Sequence, residues 1–110
     1  MCITYEHMTT LSYDKSRGTP ADSARLVMKI LSNGNRYNLI KLLLHAKRDL
    51  CVHELSEAIG ISQSATSHQL AYLEARGVVR GMRMGKTMCY EPTNALLTKK
   101  IAKVIESLNK

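Results

Sequence analysis

A chain of 110 residues is long enough for one hydrophobic core and too short for two independent ones, and its 45% hydrophobic and 23% charged content is that of an ordinary globular protein. With no Trp or Phe, the core must be aliphatic, filled out by Tyr and Met, which suits helices packed on helices. A formal net charge of +7 favours a polyanionic partner. Nucleic acid comes before a membrane, because no apolar run approaches the ~20 residues a spanning helix needs, and the best, Leu39 to Leu44, is broken by Lys41.

The amino terminus lacks the basic-then-apolar layout of a secretory signal, which predicts a cytoplasmic protein. Cys2, Cys51 and Cys89 are odd in number and unevenly spaced, so they read as reduced thiols rather than a disulfide framework. Residues 1–19 mix Thr, Ser, Asp, Lys and Gly with isolated apolar residues and show no period, which predicts a flexible arm ahead of one domain spanning 20–110.

Pro20, Asp22 and Ser23 open a first helix whose apolar stripe is Ala24, Val27, Met28 and Leu31. After the turn Ser32-Asn33-Gly34-Asn35, a second helix from about Arg36 to Lys47 carries Leu39, Ile40, Leu42, Leu43 and Leu44 around most of its circumference, so it should sit centrally, with His45 at its end. A short third helix over Val52 to Ile59 turns Leu55, Ala58 and Ile59 inward and stops at Gly60. Ser62 caps the next, whose inner edge is Thr66, Leu70 and Leu73 and which ends at Gly77. Two helices joined so closely predict a helix-turn-helix.

The outer face of that fourth helix carries Ser64, Ser67, His68, Ala71 and Ala75, small side chains that let a backbone approach a groove. Val78 to Arg83 and Thr87 to Glu91 read as two strands joined through Met84-Gly85-Lys86, a wing with Arg83 and Lys86 at its basic tip. Pro92 ends the hairpin. On a last helix Leu97, Ile101, Val104, Ile105 and Leu108 form a stripe that needs a cover, opposite Lys99, Lys100 and Lys103. The whole is a mainly α winged helix-turn-helix, about five helices plus a two-stranded wing.

Such a head would place Ser64, Ser67, His68 and Gln69 at base edges or adjacent phosphates of double-stranded DNA, with Gln63, Arg80, Arg83 and Lys86 on the backbone. Use of the same surface as a protein interaction module is disfavoured by its lack of large apolar anchors. An enzyme is disfavoured too, since no Ser/His/Asp or paired-carboxylate arrangement is suggested among nine scattered acidic residues.

Across roughly Ala24 to Leu108 the chain resembles the ArsR/SmtB family of winged-helix repressors. The carriers are Glu54-Leu55, Ile61-Ser62-Gln63-Ser64-Ala65-Thr66-Ser67-His68-Gln69-Leu70, Leu73-Glu74-Ala75-Arg76-Gly77-Val78-Val79, and Gly85-Lys86 before Tyr90. The resemblance implies a homodimer that binds an imperfect palindromic operator and releases it when a metal ion or oxidant binds. It implies an interface between first and last helices, formed by Val27, Leu31, Leu97, Ile101, Val104, Ile105 and Leu108. Where many members have Asp-Pro before the Arg of the second helix, this chain has Asn33-Gly34-Asn35-Arg36, which predicts a looser turn.

The family's third-helix sensors open that helix with Cys-Val-Cys, and Cys51-Val52-His53 stands at the matching place. With Cys2 and His7 of the arm, Cys51 and His53 would make a tetrahedral site for a transition metal, Zn(II), Ni(II), Co(II) or Cu(I). The ordinary alternative is a half-buried Cys51, a solvated His53 and an unengaged arm. The family's last-helix metal position is excluded, since Thr93 to Lys110 holds no Asp, His or Cys. A thiol redox switch is the second reading, and an effector-independent repressor a third. Cys51 near a helix start would have a lowered pKa and Cys2 could reach it, whereas Cys89 in the wing is expected to be too far away.

Overall fold

The computed structural model describes residues 20–109, so the predicted arm over 1–19, with Cys2 and His7, lies outside the described residues. The elements are α1 (Pro20–Leu31), α2 (Gly34–Ala46), β1 (Leu50–Cys51), α3 (Val52–Ile59), α4 (Gln63–Ala75), β2 (Val79–Met84), β3 (Thr87–Pro92) and α5 (Leu96–Leu108). No helix among the described residues is long and apolar enough to cross a membrane.

Local chemistry sets the helix ends. The Asn33 side chain accepts from the Arg36 backbone N–H at 3.1 Å and so caps α2 in place of the expected loose turn. Ser62 does the same for α4, accepting from Ala65 N–H at 3.0 Å. At α3 the Glu54 carboxylate reaches back to the Cys51 N–H at 2.9 Å. Gly60 ends α3 at φ 75°, a left-handed conformation that costs a side-chain-bearing residue energy, and this lets α4 start three residues later.

The core is centred on α2, as its encircling leucines predict. Leu39, Ile40 and Leu43 are buried against Val27 and Ile30 of α1, Leu55 of α3, Leu70 and Leu73 of α4, Val78, Val79 and Tyr90 at the wing's base, and Ile101 and Ile105 of α5. Each such aliphatic side chain contributes roughly 1.5–3 kcal/mol by leaving water. The Thr93 hydroxyl donates to the Gly77 carbonyl at 2.6 Å and lies 2.8 Å from the Thr98 hydroxyl, which ties the wing's base to the start of α5.

Four expectations are corrected. The inner edge of α1 is Leu26, Val27 and Ile30, while Ala24 and Met28 face outward. Ala58 is exposed, and Val52 and Ser56 take the buried places beside Leu55. The sheet has a third strand, in the order β1-β3-β2, with Leu50 opposite Tyr90 and Cys51 opposite Cys89. A two-residue strand leaves no alternation to read, so nothing local announces it. Its register overturns the distance expected between Cys51 and Cys89, because the two are cross-strand partners joined as a disulfide.

Candidate nucleic-acid interface

Thr66, Leu70 and Leu73 anchor α4 in the core, and the Thr66 hydroxyl, fully buried, donates to the Ser62 carbonyl at 2.9 Å, so the only polar group on that edge is satisfied. The opposite edge is then turned to solvent. Gln63, Ser64, Ser67, His68, Ala71 and Ala75 are all exposed.

Gln69 is different: half-buried, it accepts from Arg36 Nη1 through its Oε1 at 3.3 Å. Arg36 donates from Nε to the Ile30 carbonyl and from Nη2 to the Lys29 carbonyl, each at 3.0 Å, and its guanidinium stacks on the Tyr72 ring, 4.1 Å from the centroid. Arg76 stacks on the same ring at 3.5 Å. One arginine thus joins the last turn of α1, the start of α2 and the middle of α4. Sequence reading passed over Arg36 and Arg76. The four-residue spacing of Tyr72 and Arg76 is a signal for the second, whereas nothing local marks the first.

The wing is fixed to α4 by Glu74, whose Oε2 accepts the Gly81 N–H at 3.0 Å. Gly81 is needed for close approach, since a Cβ there would lie 2.8 Å from Cε2 of Tyr90. Burial, and next the charge of Glu74, raise the pKa of Tyr90 and keep its phenol neutral. Arg80 forms an ion pair with its cross-strand partner Glu91, so its charge is already engaged. Arg83 and Lys86 are exposed at the tip, where the turn is only Gly85-Lys86 because Met84 pairs with Thr87.

Behind the head, Cys51 stands just before α3, and His53, two residues further on, is exposed. Among the described residues no group of three or more His, Cys, Asp and Glu is placed to hold a metal ion, and the Cys51 sulfur is committed to Cys89. In this disulfide form the described residues of the candidate set do not by themselves fit a metal effector. The adjacent ion pair of Arg48 with Glu54, 3.1 Å, and then the Cys51 N–H hold the Glu54 carboxyl below its ordinary value of 4.5. A depressed carboxyl stabilises the fold above that ordinary value, and the contribution is lost as pH falls through the folded pKa. Glu54→Gln should therefore flatten the acid limb of a pH–stability curve below about pH 4.5; an unchanged limb in denaturant melts would show that Glu54 does not couple to folding.

At the far end, α1 and α5 frame an apolar groove of about 480 Å³ containing Ala24, Val27, Met28, Leu31, Val104 and Leu108. Met28 is 62%, Leu108 66% and Val104 37% exposed. The stripe predicted for the last helix therefore splits. Ile101 and Ile105 fill this chain's own core and Leu97 is half-buried against it, leaving Val104 and Leu108 outward with Leu31 on the edge of α1.

The family model for bacterial regulatory proteins of the arsR family matches residues 33–80, from the cap of α2 into β2. A putative arsenical resistance operon repressor, ArsR, of Halobacterium salinarum is 38% identical over 81 residues, which are 73% of this chain. The chain belongs to the ArsR/SmtB family. It spans 63% of the length of that Halobacterium relative. The ArsR/SmtB fold extends over most of the chain: HlyU from Vibrio cholerae superposes with a TM-score of 0.70 at 27% identity, covering 82% of this chain and 96% of that one. A homodimeric winged helix-turn-helix DNA-binding domain, Mb0332 of Mycobacterium bovis, does so with a TM-score of 0.70 at 25% identity, covering 93% and 91%.

Proposed function

We propose that this chain is a cytoplasmic, homodimeric, sequence-specific DNA-binding repressor whose residues 20–110 both dimerise and read an imperfect palindrome. The observation that carries this reading is the exposed small-residue edge of α4 beside an exposed, basic wing tip, on an α4 anchored by Leu70 and Leu73. Ser64, Ser67 and His68 face bases, Gln63 faces the backbone, and Gln69 reaches DNA only with its amide nitrogen while Arg36 holds its oxygen. Arg80 is spoken for by Glu91, which leaves Arg83 and Lys86 as the wing's free phosphate ligands.

A fluorescence anisotropy titration with duplexes from the protein's own promoter tests the reading, since binding that is absent or insensitive to salt would end it. Within it, Arg83→Ala with Lys86→Ala should weaken all sequences alike and lower the slope of log K against log salt by about two, one per lost phosphate contact. Loss confined to one base pair would reassign them to base readout.

A metal effector belongs only to the reduced protein. There Cys51 and His53 supply two donors, and Cys2 and His7 of the arm the others. The likeness to the Halobacterium relative, a putative arsenical resistance operon repressor, supports a thiol-seeking effector in this chain. Equilibrium dialysis of the reduced protein with Zn(II), Ni(II), Co(II) and Cu(I) decides it: equal stoichiometry in wild type and Cys51→Ser removes Cys51 as a ligand.

A further inference from the structure

We infer that Cys51 and Cys89 are a hydroperoxide-oxidisable dithiol whose disulfide switches off any thiolate chemistry of Cys51. They are directly opposed in the β1–β3 ladder and joined, with neighbouring pairs Leu50–Tyr90 on one side and the start of α3 on the other. Their environments divide the labour. Cys51 is half-buried and reachable, while Cys89 is 1% exposed because β3 lies between β1 and β2, with Met82 as its other cross-strand partner. The backbone of Cys51 is held beside its cross-strand partner by Glu54, which accepts the Cys51 N–H and is itself paired with Arg48.

The chemistry balances in two steps. The Cys51 sulfur attacks a hydroperoxide oxygen; the O–O bond breaks, the S–O bond of a sulfenic acid forms, and an alcohol leaves, or water if the oxidant is hydrogen peroxide. The Cys89 thiol then attacks the Cys51 sulfur, an S–S bond forms, and water leaves with the sulfenic oxygen and the thiol proton. Two thiols are oxidised and one hydroperoxide is reduced. A small dithiol reverses the reaction by exchange. Because the same sulfur cannot be both a disulfide partner and a thiolate donor, oxidation and capture of a thiol-seeking ion exclude each other at Cys51. The staple also ties the first residue before α3 to the wing's central strand, joining the helix-turn-helix covalently to the strand paired with the one that carries Arg83.

This inference deepens the effector part of the proposed function and does not require that DNA binding be right. The full chain, reduced and then treated with a slight excess of hydrogen peroxide, should lose two of its three titratable thiols without forming a covalent dimer, and peptide mapping should return a linked pair containing Cys51 and Cys89. Cys2→Ser should lose both of its thiols equally, whereas Cys2→Ser combined with Cys89→Ser should stop at a Cys51 sulfenic acid trapped by a cyclic 1,3-diketone. Uptake of phenylarsine oxide through Cys51 should vanish on oxidation and return with dithiothreitol. A Cys2-linked peptide, an intersubunit product, or all three thiols surviving would overturn the assignment. Cys89→Ala, which places no hydroxyl in the buried site, repeats the trapping experiment should the serine variant unfold. An operator titration run beside these assays tests the DNA reading separately, because the thiol counts stand whatever it shows.

Discussion

Replacing Met28 and Val104 together by glutamate is expected to leave a folded monomer whose affinity for a two-half-site duplex is lower by about 10²–10⁴-fold, the gain that linking two binding modules normally gives. Neither side chain belongs to this chain's own core, so the fold loses little by the change. Across a two-fold axis the same patch meets itself, and four carboxylates would then face one another in a groove that is apolar apart from Lys100 and two serines. Sedimentation velocity with circular dichroism checks the first half of the expectation, and anisotropy on whole and half operators the second. A variant that remains dimeric would move the interface away from the groove between α1 and α5. Equal affinity for whole and half operators in the wild type would remove the dimer from DNA recognition altogether.

The second large effect is expected at Arg36. Arg36→Ala removes three hydrogen bonds and a stacked guanidinium at once, and it leaves the Lys29 and Ile30 carbonyls at the end of α1 with fewer donors. Hydrogen bonds from a charged donor are worth about 1.5–3 kcal/mol net, so a loss of at least that size is expected in urea unfolding at neutral pH. Arg36→Lys should recover only part of it, because an ammonium group has neither the planar fork nor the face that stacks on Tyr72. The loss should also reach the reading head, since Gln69 would be released; weaker operator binding by the folded variant is the accompanying result. A change below about 0.5 kcal/mol, the scale of an ordinary surface substitution, would show that the clamp is not made.

The fourth helix, α4, was legible because its two edges differ at helical period. Thr66, Leu70 and Leu73 alternate with Ser64, Ser67 and His68 in a way that no other arrangement satisfies, and Ser62 and Gly77 bound it on either side. The stripe on α5 was legible as a stripe but not as two. Ile101, Val104, Ile105 and Leu108 are equally apolar, and only packing against α2 assigns Ile101 and Ile105 to the inside and leaves Val104 and Leu108 uncovered. A similar ambiguity misplaced Met28 and Ile30 on α1.

Charges show the same limit. Arg80, Arg83 and Lys86 look alike along the chain, yet the register of β2 on β3 sets Arg80 opposite Glu91 and leaves the other two at the tip. Spacing between cysteines was the poorest guide, because 38 residues of separation say nothing once a sheet forms.

What the sequence determined by itself is the order of the five helices and the two wing strands, the Ser62 cap and the glycine stops that bound the third and fourth helices, the central place of α2 and the family to which the head belongs. Period, capping and turn chemistry act within a few residues, and each is written locally. What only the tertiary structure decided is which of several equivalent residues is engaged. Arg36 on α4, Arg80 on Glu91, and Cys51 on Cys89 are pairings between distant parts of the chain, set by how helices pack and strands register rather than by any neighbour in sequence.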